Sequence, residues 1–279
     1  QGLGDHTFFN DIKVLPAASF LKYNNGKLII KQYWNLEFEE SVNRSYNDLV
    51  FELLNNFKKA VEIRTTNNKY GIALSGGMDS RSIIAAIPER MNNDVLSFTF
   101  GQNGAKELVI AEKVANIKNI DNKIMFYNPD DVLPYAEKVV DITDGMNTIA
   151  VSHLLYTYKK LQNKVNVVFD GLGGNSLGGS HIPESFYHIK PNMFKYEMAS
   201  RYKNSGIFSD SLFLKIFNKS YNRMLMSTFY ELFDKELDNC NNESPVNRLE
   251  TYIYKTRYRR LSIMGDDIMR SNFEIALPF

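Results

Sequence analysis

Apolar and polar residues follow two different periods along the first sixty residues. Two short apolar runs, 19–23 and 27–34, flank Asn24-Asn25-Gly26, which is typical of the tight turn in a β-hairpin. From Tyr46 onward the apolar residues recur at helical spacing instead. The predicted helix has one apolar face, which we expect to pack against the core: Val50, Leu53, Leu54, Phe57 and Val61.

Residues 70–169 alternate between runs that favour strands and stretches that favour helices. The predicted strands are 70–74, 95–100, 123–127 and 165–169, and the predicted helices are 80–87, 107–117, 132–141 and 148–161. This alternation predicts an α/β fold, a doubly wound parallel sheet with helices on both faces. After Pro191 the pattern is helical and no strand is predicted, so a helical C-terminal part follows the sheet.

A glycine-rich segment, Leu74-Ser75-Gly76-Gly77-Met78-Asp79-Ser80, joins a predicted strand to a predicted helix. Glycines allow a tight turn, serine hydroxyls can donate hydrogen bonds, and the first amides of a helix favour an anion. An aspartate in such a loop repels an anion unless a cation accompanies it, so Asp79 indicates Mg²⁺ bound together with a polyphosphate. Ligands of parallel sheets bind beyond the carboxyl ends of the strands, where this segment lies.

The composition indicates a soluble protein with a core of its own. The 279 residues are 44% hydrophobic and 23% charged, which argues against disorder. A formal net charge of +1 gives no overall field that would attract nucleic acid or a membrane surface. The single cysteine, Cys240, excludes an internal disulfide. The lack of paired cysteines fits a reducing cytoplasm. The polar N-terminal residues and the lack of a long apolar run predict neither a signal peptide nor a membrane segment.

Four segments resemble one known family. Residues 75–80 resemble the pyrophosphate-binding loop of the N-type ATP pyrophosphatases, Ser-Gly-Gly-x-Asp-Ser, and no Gly-Lys-Ser/Thr follows as it would in a Walker loop. Residues 107–115, the glycine-rich stretch 170–179 and residues 269–279 extend the resemblance to the asparagine synthetase family. The resemblance implies that residues 1–40 are a remnant of glutaminase-domain strands and linker, and that residues 41–279 are a C-terminally truncated synthetase domain with the HUP-like ATP pyrophosphatase fold.

The resemblance also implies an ATP-dependent carbon–nitrogen ligase. In the family, ATP adenylates a carboxylate, pyrophosphate leaves and ammonia attacks the acyl-adenylate, so the expected cofactors are ATP and Mg²⁺ and the expected substrate is aspartate. Eight positions are expected to contact the nucleotide: Leu74, Ser75, Gly76, Gly77, Asp79, Ser80, Phe100 and Gly171. Asp79 and Asn175 match the family's pair of magnesium ligands, and we expect both to be catalytic.

The second glycine-rich stretch departs from the family pattern. Asn175 and Ser176 stand where the family has aspartate and glutamate. Leu172 occupies the position of a glutamate that acts as a base toward the attacking nitrogen in asparagine-forming members, and Ala276 replaces an arginine. Leu172 and Asn175 favour a relative that amidates another carboxylate or closes a ring, as β-lactam synthetases and lasso-peptide cyclases do. A further alternative is an ATP-binding module without catalysis.

The family's glutamine hydrolysis needs an N-terminal cysteine, whereas this chain begins at Gln1 and has its cysteine at position 240. We therefore expect a glutaminase domain or subunit to supply the ammonia. A family lysine that stabilises the adenylation transition state lies beyond the segment that ends at Phe279. The 279 residues alone are consequently expected to bind ATP without synthetase activity. The sequence leaves open whether the protein forms a homodimer.

Overall fold

The computed structural model describes residues 5–7, 9–38, 43–65, 69–145, 149–174, 182–198, 212, 215–240, 244–258 and 273–278. The chain divides into two compact units: Gln1–Ser41 with Ser180–Arg259, and Val42–Gly179 with Arg260–Phe279. Across the described ranges, no helix combines the length and the apolar character that crossing a membrane requires.

Strands and helices alternate along the second unit, and the ranges that follow give the elements of both units. The strands are β1 (Ser19–Asn24), β2 (Lys27–Gln32), β3 (Tyr70–Ala73), β4 (Val95–Gly101), β5 (Asp121–Phe126), β6 (Val167–Phe169) and β7 (Glu274–Ala276). The helices are α1 (Tyr46–Glu62), α2 (Met78–Ala86), α3 (Lys106–Lys118), α4 (Pro129–Val132), α5 (Ala136–Ile142), α6 (Ser152–Lys159), α7 (Ser185–His188), α8 (Lys219–Asp238) and α9 (Pro245–Tyr252). A π-helical segment, Ile253–Tyr258, follows α9 directly.

A five-stranded sheet in the order β5-β4-β3-β6-β7 forms the centre of the second unit, and every adjacent pair is parallel. Alternate side chains point to opposite faces of a strand. One face meets α1, α2 and α3 in a buried cluster that includes Ile72, Phe169, Val61, Ile83 and Ala111. The other face meets α5 and α6 in a cluster that includes Phe98, Val168, Val139, Leu155 and Tyr158. The predicted parallel sheet with helices on both faces is therefore confirmed.

The predicted hairpin is also confirmed. Strands β1 and β2 pair antiparallel, from Ser19 opposite Gln32 to Asn24 opposite Lys27. Asn25 and Gly26 both have positive φ, 48° and 78°. This is the combination that a two-residue turn needs if it is to match the right-handed twist of the strands.

Two expectations from the hydrophobic pattern were wrong. We predicted no strand after Pro191, yet β7 pairs with β6 at the edge of the sheet. A three-residue strand is too short to show an alternating pattern. In α1, the face expected to be buried reaches the core only near its end, where Val61 is fully buried, whereas Val50 and Leu54 are 45% and 46% exposed. Periodicity shows which face of a helix is apolar and not what covers it.

The first unit has an aromatic core around its helices. Phe186, Phe194, Phe233 and Tyr252 are buried there together with Cys240. The Cys240 Sγ donates to the Glu236 carbonyl at 3.3 Å, and burial raises the pKa of the thiol to about 11. Cys240 is therefore a packed, unreactive side chain.

Candidate active site

The first glycine-rich loop connects β3 to α2 and is held by two serines. The Leu74 amide donates to the Phe98 carbonyl at 2.9 Å, which extends the pairing of β3 with β4 to the start of the loop. The Ser75 amide donates to Ser80 Oγ at 3.0 Å, the two hydroxyls are 3.0 Å apart, and the Gly77 amide donates to Ser75 Oγ at 3.1 Å. Both hydroxyls thus stabilise the turn itself, a role that their sequence pattern alone did not indicate.

Two helices begin beside this loop without a side-chain cap. Neither α2 nor α3 has a side chain that accepts from its first turn. A Cβ atom at Gly76 would lie 3.6 Å from the Glu107 Cα, so the first turn of α3 contacts the loop. The first amides of a helix have no carbonyl partner within it, and its dipole places partial positive charge there. The loop therefore lies between two positively polarised helix starts, which suits a polyanion.

The second glycine-rich loop follows β6, the strand beside β3. The Asp170 amide donates to the Ala276 carbonyl at 3.2 Å, which ties the start of the loop to β7. Asp170 Oδ1 accepts from the Leu172 amide at 2.8 Å, and the Gly174 amide donates to the Gly171 carbonyl at 3.2 Å. Burial raises the pKa of the Asp170 carboxyl, and the hydrogen bond from Leu172 partly opposes that rise.

The two loops meet at Asp79. Because β3 and β6 are parallel neighbours, both loops leave the same edge of the sheet. A Cβ atom added to Gly171 would lie 3.0 Å from the Asp79 Cβ. One added to Gly174 would lie 2.4 Å from both Cγ and Oδ1 of Asp79. The carboxylate therefore occupies space that these two glycines leave empty.

Asp79 has the properties of a cation ligand. Its carboxylate is half-buried and makes no hydrogen bond or ion pair to any other described residue. One or two carboxylates together with substrate phosphates are the usual ligands of Mg²⁺ in proteins, so this residue fits such an ion. Within the described ranges, no three His, Cys, Asp or Glu side chains form a metal-binding group. Asn175, the second predicted ligand, and the neighbouring Ser176 lie outside the described residues.

An aromatic group borders the same edge of the sheet. The ring of Phe100 on β4 is 5.4 Å from that of His153 and 6.5 Å from that of Tyr127, and the rings of Tyr127 and His153 stack at 5.8 Å. His153 Nδ1 also lies 2.9 Å from the Ala150 carbonyl. Phe100 was a predicted nucleotide contact, whereas Tyr127 was not singled out. Its position at the carboxyl end of the predicted strand 123–127 was the available signal.

Arg81 is a further residue that the sequence reasoning did not use. Its Nε donates to the Gly77 carbonyl at 3.1 Å, so the guanidinium lies beside the first loop. The structure thus brings together the predicted positions from Leu74 to Ser80 and Gly171, with Phe100 at the end of the adjacent strand.

The sequence profile of the asparagine synthase family matches residues 52–271, which include both glycine-rich loops. The chain belongs to the asparagine synthase family. Within this asparagine synthase region, Leu172 is half-buried in the second loop. Ala276 lies on β7, after the matched residues, and its carbonyl accepts from the Asp170 amide.

Individual relatives agree with this membership of the asparagine synthase family. The chain is 28% identical over 178 residues to a putative asparagine synthetase [glutamine-hydrolyzing] of Methanocaldococcus jannaschii, covering 61% of this chain and 32% of that protein. It is 25% identical over 156 residues to the asparagine synthetase of Cricetulus griseus, covering 52% and 27%. The chain therefore spans about a third or less of these curated relatives. A solved NH3-dependent NAD synthetase from Campylobacter jejuni is 15% identical with a TM-score of 0.34, covering 77% of this chain and 96% of that one.

Proposed function

We propose that this chain binds ATP with Mg²⁺ between its two glycine-rich loops and forms the nucleotide site of an amide-forming ligase. The ligase adenylates a carboxylate with release of pyrophosphate, and ammonia then displaces AMP to form the amide. The observation that carries this proposal is the position of the Asp79 carboxylate against Gly171 and Gly174. The helix starts at this edge of the sheet favour anionic ligands. A carboxylate among them is favourable when a cation binds both the carboxylate and the phosphates.

Each part of the edge has a role in this proposal. The amides at the starts of α2 and α3 receive the phosphates, and Arg81 adds positive charge beside them. Asp79 holds Mg²⁺, which when bound neutralises charge on the polyphosphate. Glycines 171 and 174 let the second loop approach without steric conflict. The backbone at Leu74 and at Phe100 contacts the adenine, as the family resemblance implies.

The carboxylate substrate is proposed as aspartate, with ammonia supplied by a glutaminase domain or subunit, because the curated relatives are glutamine-hydrolysing asparagine synthetases. One residue favours a second candidate. Leu172 stands where asparagine-forming members have glutamate, and an apolar side chain cannot remove a proton from the attacking nitrogen. A ligase that amidates or cyclises another carboxylate, with its base elsewhere, is therefore the alternative.

The direct test is calorimetric titration of ATP into the chain with and without Mg²⁺, in the wild type and in Asp79→Ala. We expect Mg²⁺-dependent binding that weakens by about 10- to 100-fold in the variant, the range for loss of one charged partner. Asp141→Ala is the matched control, because Asp141 is an exposed aspartate on α5 and should leave binding unchanged. Equal affinity in wild type and Asp79→Ala would contradict the proposed role.

Turnover separates the catalytic proposals from simple binding. Pyrophosphate release from ATP is measured on the full-length protein with ammonia and aspartate, and then with other carboxylates in place of aspartate. Release that depends on aspartate supports amide formation on that substrate, and release with another carboxylate favours the alternative ligase. Binding of ATP without release under any condition would favour a nucleotide-binding module that lacks catalysis.

A further inference from the structure

A histidine ring lies among aromatic side chains at the carboxyl ends of β4 and β5. The ring of His153, in the first turn of α6, stacks on that of Tyr127 at 5.8 Å and lies 5.4 Å from that of Phe100. All three residues are half-buried, so part of this aromatic surface stays accessible. Apolar rings with a small number of placed polar atoms are the usual lining of a small-molecule site.

The position of His153 is fixed by its neighbours. Tyr156, about one turn further along α6, donates its hydroxyl hydrogen to the Phe126 carbonyl at 3.3 Å, and its ring lies 6.4 Å from that of Tyr127. The Tyr127 amide in turn donates to the Gly101 carbonyl at 3.4 Å. Helix α6 is therefore held against the ends of β4 and β5, and the imidazole loses little freedom when a ligand binds.

One hydrogen bond sets the chemistry of the imidazole ring. His153 Nδ1 lies 2.9 Å from the Ala150 carbonyl oxygen, which can only accept, so Nδ1 carries the hydrogen. In the neutral ring Nε2 is then a hydrogen-bond acceptor. Nε2 makes no hydrogen bond to any other described residue. The aromatic surface thus offers one unused acceptor.

This aromatic surface lies beside the first glycine-rich loop. Strands β3 and β4 pair in parallel, with Ala73 opposite Phe98. Continued for two residues, this register places Ser75 level with Phe100. Neighbouring strands lie about 4.8 Å apart. A nucleotide whose phosphates bind the first loop can therefore reach Phe100 and His153 with its base.

We propose that His153 determines which base the nucleotide site accepts, by taking a hydrogen bond at Nε2 from the 6-amino group of adenine. This inference rests on the proposed nucleotide site and adds the choice of base. Adenine presents an N6 amino donor where guanine presents the O6 acceptor. An O6 atom facing Nε2 would place two acceptors against each other, which disfavours guanine. A site with this acceptor takes ATP in preference to GTP.

The test is calorimetric titration of three nucleotides into the whole chain, with Mg²⁺ at about pH 8, where imidazole groups are ordinarily neutral. The nucleotides are ATP, GTP and purine riboside 5′-triphosphate, which carries a hydrogen in place of the 6-amino group. Wild type should bind ATP about 3- to 10-fold more tightly than purine riboside triphosphate, the size of one neutral hydrogen bond. GTP should bind more weakly than ATP by at least the same factor.

His153→Phe removes the acceptor and keeps a ring against Tyr127. In this variant the preference for ATP over purine riboside triphosphate should disappear, while the affinity for purine riboside triphosphate stays at the wild-type value. His188→Phe, which replaces an exposed histidine on α7, is the matched control and should keep the preference. A histidine that only packs would change both affinities by the same factor. An unchanged ratio in His153→Phe would therefore overturn the proposal.

A second measurement uses the wild-type chain with ¹⁵N-labelled histidine. The Nε2 resonance of His153 should shift farther with ATP than with purine riboside triphosphate, because only ATP supplies a donor. Equal shifts, or equal affinities of wild type for the two nucleotides, would contradict the role of His153 and leave the nucleotide site in place. If none of the three nucleotides bound, the proposed function and this inference would both fall, so the two failures are distinguishable.

Discussion

The two glycine-rich loops leave neighbouring parallel strands, but different chemistry holds each one. The first loop is stabilised by neutral hydroxyls, since Ser75 and Ser80 bond to each other and to the amides of Ser75 and Gly77. The second loop is stabilised by a half-buried carboxyl group, because Asp170 accepts from the Leu172 amide. Asp79 projects from the first loop, whereas the second presents bare glycine backbone toward it.

This difference separates two tasks. Hydroxyl groups can be buried at modest cost when they are hydrogen-bonded, so Ser75 and Ser80 hold the first loop without adding charge of their own to an anion site. The second loop keeps the carboxyl of Asp170 bonded to its own backbone, and its glycines provide space for Asp79. We infer that the first loop supplies the chemistry and the second supplies the space.

The largest effect is expected from Gly171→Ala. The added Cβ would lie 3.0 Å from the Asp79 Cβ and 3.5 Å from the Ser80 amide nitrogen, so the two loops must separate by a few tenths of an ångström. Displacements of about 1 Å at a reaction centre can cost on the order of 100-fold in activity. We expect Mg²⁺-dependent ATP affinity to fall by about tenfold or more, measured by calorimetry.

Gly101→Ala is the matched control for this prediction. Gly101 ends β4, and a Cβ there would meet the Leu108 side chain at an ordinary 3.6 Å. Its ATP affinity should stay at the wild-type value. Unchanged affinity in Gly171→Ala would show that the close approach of the two loops is not needed for binding.

The sequence predicted the first loop better than the second, for a physical reason. The hydroxyl groups that hold the first loop, and the amides that they accept from, all lie between Ser75 and Ser80, so a local motif contains them. The second loop depends on β7, about a hundred residues further along the chain, whose carbonyl at Ala276 accepts from Asp170. Lys123 on β5 likewise bonds to the carbonyl of Lys160, in a turn about forty residues later. Contacts between distant segments leave no local pattern to read.

A smaller effect is expected from Ser80→Ala, which weakens the first loop without adding bulk. Ser80 is buried, and its hydroxyl is the acceptor for the Ser75 amide. Removing that acceptor leaves a donor without its partner, which costs about 1–3 kcal/mol. Urea denaturation should show the loss in the free energy of unfolding.

Ser82→Ala on the same helix, which removes a half-buried hydroxyl without a described hydrogen bond, should differ little from wild type. Equal losses in both variants would mean that the Ser75–Ser80 bonds do not stabilise the loop.

The smallest effect, and one of opposite sign, is expected from Asp170→Asn. Burial raises the pKa of this carboxyl in the folded state, so its stabilising contribution is complete below the unfolded pKa and is lost as the pH rises through the folded pKa. At about pH 7 the ionised group therefore costs stability. Asparagine keeps an oxygen that can accept from the Leu172 amide and carries no charge. Urea denaturation at about pH 7 should show Asp170→Asn slightly more stable than wild type, with the difference shrinking toward about pH 4 as the wild-type carboxyl protonates.

Asp170→Ala, which removes the acceptor, should be less stable than Asp170→Asn by about 0.5–1.5 kcal/mol. A less stable Asp170→Asn at neutral pH would show that the ionised carboxylate stabilises the second loop by more than its burial costs.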